Sequence, residues 1–366
     1  MMPEQPQSAR VTLDGERVYR HLANAFESAE NVCAAEVSTR FITFAGRTAR
    51  LRIVGRSMAE CLARPFAHLE VREAAGQEPE LKIDLWEGAS TGVGCEGCEP
   101  WPDPDMRAAI GRSSDGRWLS RRKAQSWIAL DRHEERIVGW IGDSQHLTQY
   151  ELGRPLHSQL LLWHMDRGVQ ALHGGLVAQD GHGVLLGGPG GSGKSTVALT
   201  CMLAGFSYLA DDYVGLEPVD GGESYVGHSL YSSTHLEPEH LRLFPSLVGA
   251  AIPGKPPRED KSLIFLSQIA AARLDSSTAI TALALPRVVH DETTKWRLAA
   301  KTDAVLRLAP SSMMMVPHAA IAEGLHQLSR LVERVPAYWL ELGRDLSEIP
   351  PRVEELLAHA TSSVAG

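Results

Sequence analysis

The run Gly188-Pro189-Gly190-Gly191-Ser192-Gly193-Lys194-Ser195, followed by Thr196, meets every fixed position of G-x-x-x-x-G-K-[ST] and dictates a strand, a tight loop and a helix in that order. Upstream, Val184-Leu185-Leu186 is a short apolar run that predicts a buried strand. Downstream, residues 196 to 204 predict a helix stopped by Gly205. Glycines at 190, 191 and 193 let successive backbone N–H groups converge, and the helix adds its positive N-terminal end. Polyphosphate suits such a concavity, with Gly188, Gly190, Gly191, Ser192, Gly193, Lys194, Ser195 and Thr196 as the binding residues. Lys194 then reaches the outer phosphates and the Ser195 hydroxyl serves the accompanying Mg²⁺, so ATP and Mg²⁺ are the expected ligands.

The rest of the chain has to build a frame for that loop. Its 366 residues, 43% of them apolar, allow one large core or two smaller ones. The alternation of elements sets a boundary near residue 150. Residues 1–150 predict a smaller α+β domain: a helix over 15 to 30, a hairpin of Phe41–Phe44 and Ala49–Val54 about Gly46, a helix over 57 to 69, and strands at 81 to 86, 127 to 130 and 137 to 141. Residues 88 to 116 are rich in Gly, Pro and Asp and read as an irregular connection. After a helix over 154 to 167, residues 151–366 predict an α/β domain whose mixed or parallel sheet is flanked by helices. Its strands are expected at 172–178, 184–186, 206–210, 213–217, 282–289 and 338–342. The stretch 221–279, with Pro253, Gly254, Pro256 and Pro257, reads as an irregular excursion. Ile321, Leu325, Leu328 and Val332 mark one C-terminal helix, and Val353, Leu356 and Leu357 another. Met313-Met314-Met315 reads as buried gap-filling.

The formal charge of −9 speaks against a nucleic-acid or anionic-membrane partner. Without a signal segment or a membrane-length apolar run, the expected location is the cytoplasm, and association into homo-oligomers stays open. Five sparse cysteines fit reduced thiols. Cys95-Glu96-Gly97-Cys98 has metal-ligand spacing, but no second such pair completes a zinc site, so a polar loop is expected there.

Phosphoryl transfer needs carboxylates beside the phosphate cradle. Asp211 and Asp212 end the apolar run Leu209-Ala210, and adjacent side chains on extended backbone point to opposite sides, which allows them separate tasks. One serves the metal while its neighbour accepts the proton of an acceptor hydroxyl. Ser195 and Asp212 are the expected metal ligands, and either aspartate can be the base. His173, one strand before the loop and followed by two glycines, is placed to orient a phosphate or a carboxylate. His164, His182 and His228 have no comparable setting. Lys255, Arg258, Lys261 and Arg287 are the candidates for additional positive charge on the transferring group.

His173-Gly174, the 188–195 loop and Ala210-Asp211-Asp212 stand in the order and spacing of the HPr kinase/phosphorylase family, which residues 165 to 220 resemble. The segment where that family carries a glutamate-bearing motif reads Tyr231-Ser232-Ser233-Thr234-His235-Leu236-Glu237-Pro238 here. The resemblance implies a P-loop kinase in which Lys194 and Ser195 bind phosphates and Mg²⁺, Asp211 or Asp212 is the base, and His173 supports them. It also implies a serine of a peptide or protein as acceptor. The overall layout, with Leu172-His173-Gly174-Gly175 and the closing segment 338 to 346, is more similar to the HPr-kinase-like kinases of peptide natural-product pathways, including lasso peptide precursors. A kinase of small metabolites and a nucleotide-sensing protein with slow ATPase activity remain open alternatives.

Overall fold

The computed structural model describes residues 14–72, 78–95, 109–254, 260–289, 291–315 and 320–364. Two eight-stranded mixed sheets carry the fold. In the first, the expected hairpin pairs Val37–Phe44 with Arg47–Val54 in one unbroken register, from Val37 opposite Val54 to Phe44 opposite Arg47. Its turn places Ala45 and Gly46 at φ 47° and 76°, the left-handed pair that matches strand twist. In Arg47–Val54, Ala49, Leu51 and Ile53 are buried while Thr48, Arg50 and Arg52 alternate with them. Leu81–Glu87 and Arg136–Ile141 continue this sheet in parallel. Ser126–Asp131, Trp118–Lys123 and Ala109–Arg112 extend it as an antiparallel meander. The strands at 109 and 118 were not anticipated, because Arg112 and the run Arg121-Arg122-Lys123 leave little apolar pattern there. Helix Gly15–Val32 covers one face, burying Leu22 and Phe26 against Trp86 and Val138. The helix expected over 57 to 69 is an α-helix over Arg56–Ala63 followed by a 3₁₀ segment over Arg64–Leu69, with Pro65 at the change.

The second sheet holds the loop. His182–Gly187 lies between antiparallel Gln170–Gln179 and parallel Ser277–Val288. Gln170–Gln179 also pairs with Tyr213–Val219, which pairs with Ser224–Ser229, and that strand returns to Ser277–Val288, so five strands close a ring. Ala337–Leu342 and Lys295–Leu298 extend it. Helices Lys194–Ala204 and Ile349–Val364 pack on one face around Val197, Tyr338, Leu340 and Leu356. Lys301–Met313 and Ile321–Arg334 pack on the other around Leu283, Leu308 and Leu331. Gln170–Gln179, His182–Gly187 and Ala337–Leu342 run buried on both faces, the pattern of a sheet between helical layers, whereas the edge strand Lys295–Leu298 is largely exposed.

The core beneath the first sheet joins it to the second: Leu51, Leu62 and Phe66 share one cluster with Trp163, Ala171 and Tyr231. The helix expected over 154 to 167 runs only over His157–Met165, and Arg154-Pro155-Leu156 separate it from a further short helix over Gln149–Gly153. Proline disfavours helical conformation in the residue before it, which explains the break. Two further expectations change. The excursion 221–279 contains strands, including Ser233–Leu236 paired with Ser262–Phe265. Met314 is 88% exposed, so the methionine run is not uniformly buried. Among the described residues, no helix is long and apolar enough to cross a membrane. Cys98, Lys255 and Arg258 lie outside the described residues, and Cys95 is a free, buried thiol.

Candidate active site

The loop leaves the carboxyl end of His182–Gly187 and turns into the helix that starts at Lys194. Its backbone depends on glycine. Gly191 and Gly193 have φ of 76° and 102°, and a Cβ on Gly193 would overlap the Leu342 side chain. The N–H groups of the first helical turn have no intrahelical acceptor, so they remain as donors at the loop. Ser192 is 8% exposed and its hydroxyl has no partner. Lys194 is buried, its ammonium donating to the carbonyls of Gly188 at 2.7 Å and Pro189 at 3.1 Å. Burial lowers its pKa against the opposing pull of Asp212 and Asp211, so both acids share its electrostatic environment. The Thr196 hydroxyl meets His240 Nε2 at 2.8 Å.

Asp211 and Asp212 form the bend between Ser207–Ala210 and Tyr213–Val219, and their side chains take different partners. Asp211 is 4% exposed and accepts the Thr234 hydroxyl at 2.5 Å. Burial and then the charge of Asp212 raise its pKa, against hydrogen bonds from Thr234 and Ser195 and the charge of Arg154. Asp212 is 24% exposed and takes Arg154 Nη1 at 2.6 Å on one oxygen and His173 Nε2 at 2.8 Å on the other. Burial alone would raise this carboxyl, but Arg154 and His173 outweigh it and hold it well below the usual carboxylate range. His173 is itself fixed by its strand, whose Gly174 N–H donates to the Asp212 carbonyl at 3.0 Å.

Loop, lysine, both aspartates and His173 therefore converge. Arg287 is engaged elsewhere, bonded to Glu341 at 2.5 Å and lying over the Trp339 ring. Lys261 pairs with Glu237 at 3.7 Å on the rim of a cavity of about 610 Å³, which Tyr150 and His235 also line. Sequence reasoning missed Arg154 and Thr234. Both come from segments remote along the chain, and nothing in their local pattern marks them. His164 is buried with neither ring nitrogen partnered, His182 meets Thr281, and His228 pairs with Glu217 at 2.9 Å.

Among the described residues no cluster of three or more His, Cys, Asp or Glu could hold a metal. A magnesium ion that arrives with phosphates needs fewer protein ligands, typically one or two oxygens. The buried Asp211 carboxylate with the Ser195 hydroxyl beside it meets that requirement.

No family model matches the chain, and no curated protein does. Among solved structures it matches the HPr(Ser) kinase/phosphatase from Coxiella burnetii at 13% identity and a TM-score of 0.30. The match covers 54% of this chain and 99% of that one. So distant an overlap adds no weight to any reading of the site.

Proposed function

We propose that the protein is an ATP- and Mg²⁺-dependent kinase that transfers the terminal phosphoryl group to a serine hydroxyl of a peptide or protein. The observation that carries the reading is the pairing of unlike carboxylates at the glycine loop: Asp211 sealed beside Ser195, and Asp212 fixed yet partly open. In this proposal the loop N–H groups and Lys194 grip the triphosphate, with Lys194 exchanging its loop carbonyl contacts for phosphate oxygens. Ser195 and Asp211 would hold the Mg²⁺. This moves the metal-side carboxylate from the expected Asp212 to Asp211, because Asp211 is the one beside the hydroxyl. The cation supplies neutralisation of phosphate charge.

Asp212 then orients the acceptor hydroxyl and takes up its proton, its second edge steadied by His173. Positioning of this kind is the main protein contribution to phosphoryl transfer, so a low carboxyl pKa is no obstacle. The cavity lined by Tyr150, His235 and Lys261 would admit the acceptor, and residues 1–150 would form the domain that presents it. A ribosomally made peptide precursor of lasso type is the first acceptor to offer. The test is incubation with γ-labelled ATP, Mg²⁺ and serine-containing peptides, followed by mass analysis. A phosphopeptide formed by the wild type and not by Lys194→Ala supports the reading. Label confined to a low-molecular-weight pool, or ATP-dependent partner capture without any phosphorylated acceptor, refutes it.

A further inference from the structure

Arg154 reaches the site from outside the α/β sheet that carries the other groups. It caps the helix Gln149–Gly153, whose start is closed by reciprocal bonds between Thr148 and Glu151. Glu151 has a second engagement: Lys123 Nζ lies 3.1 Å from its carboxylate and the Ser126 hydroxyl 3.2 Å, both from strands of the first sheet. One residue beyond that helix, the Arg154 side chain is 7% exposed and fully committed. Nη1 meets Asp212 at 2.6 Å, and Nη2 donates to His235 Nδ1 at 3.1 Å. His235 Nε2 donates in turn to the Gln149 carbonyl at 3.2 Å, which leaves Nδ1 as the acceptor Arg154 needs. The rings of Tyr150 and Tyr213 lie 5.4 and 4.8 Å from the guanidinium carbon. A fork clamped at both prongs allows Asp212 little freedom, and a lysine cannot reproduce it.

We infer that Arg154 is a positioning residue through which the first sheet, by way of Glu151, sets the orientation of Asp212 toward the acceptor hydroxyl. The inference rests on the phosphoryl-transfer reading above. It assigns the first sheet a share in the reaction as well as in presenting the acceptor.

The test compares kcat, acceptor KM and nucleotide Kd for the wild type, Arg154→Ala, Arg154→Lys and Glu151→Gln, with folding checked by circular dichroism. The expected result for Arg154→Ala is a kcat lower by on the order of 100-fold with nucleotide Kd unchanged, the scale of a misplaced reacting group. Millimolar guanidinium should recover part of that loss, and Arg154→Lys should fall between the two. Glu151→Gln, which loosens the anchor without touching the site, should lower kcat less and in the same direction; it also carries the test if Arg154→Ala fails to fold. A folded Arg154→Ala with wild-type kcat overturns the inference, as does a loss that tracks nucleotide Kd and answers to neither lysine nor guanidinium. Wild-type kcat in Glu151→Gln overturns the role of the first sheet. A wild type that transfers nothing refutes the kinase reading and this inference together, whereas an active wild type with an equally active Arg154→Ala refutes this inference alone.

Discussion

Each sheet holds an aspartate between two nitrogen-bearing side chains, and only one of the two arrangements is built for chemistry. In the first sheet Asp84 receives Arg52 Nε and Arg136 Nε, each at 2.7 Å on separate oxygens, and is wholly buried. In the second, Asp212 receives Arg154 and His173 in the same manner, yet stays 24% exposed beside a glycine loop and a buried lysine. Saturation on every side makes a structural ion pair, whose removal leaves uncompensated charge. One open edge at the carboxyl end of a strand leaves room for a substrate. A buried Asp–Arg pair is therefore no indication of function by itself; the free edge and what adjoins it decide.

The largest expected effects test that contrast directly. Asp212→Asn and Lys194→Ala should each lower transfer by at least about 1,000-fold, the scale of losing a group that acts in the transition state, with native circular dichroism retained. Substantial turnover in either purified variant would remove the distinction between the two sheets. Asp84→Asn should do the reverse. It strands two arginines and should cost about 3 kcal/mol in urea unfolding, while the folded fraction keeps its kcat. A catalytic defect at unchanged stability would show that the first sheet's aspartate also acts on the site.

What was legible beforehand follows the same division. The loop, its helix and the aspartate pair are contiguous in sequence, so spacing alone located them, and His173 stood out through the glycines that follow it. Arg154 and Thr234 act only through long-range contacts with Asp212 and Asp211. Arg154 stood at the start of an expected helix that in fact begins only at His157. Thr234 lay in a strand of four residues, all buried, which has no alternation to betray it. The Arg-rich strand Trp118–Lys123 was missed for the opposite reason, since its charged residues dilute the apolar signal.

The buried histidines and the site aspartate should also respond to acid in different windows. Burial holds His157, His164 and His235 down to about 3, and His68 to about 4. An unfolded histidine titrates near 6.5, so below that pH the unfolded chain binds protons that the native state excludes. Stability is thus full above pH 6.5 and falls as pH drops toward 3, by about 2 kcal/mol per histidine at pH 5. The Asp212 carboxyl, held low, loses its contribution only at more acid values, as pH falls below the ordinary carboxylate range. His164→Leu, beneath the first sheet, should flatten the slope between pH 7.5 and 5 in urea titrations without altering kcat at neutral pH. An unchanged slope would mean that His164 takes up its proton in the native state.

The smallest effect concerns the sealed aspartate. Thr234→Val removes the hydroxyl that Asp211 accepts at 2.5 Å and keeps the shape. Losing one hydrogen bond to a buried charged group costs about 1.5 kcal/mol of stability. If Asp211 serves the cation, bound Mg²⁺ compensates the same charge, so saturating MgATP should return most of that loss in thermal unfolding, whereas ATP with EDTA should not. Asp84→Asn has no such partner to regain and should remain destabilised under both conditions. Equal shifts for Thr234→Val with and without Mg²⁺ would place Asp211 with Asp84, as a structural carboxylate.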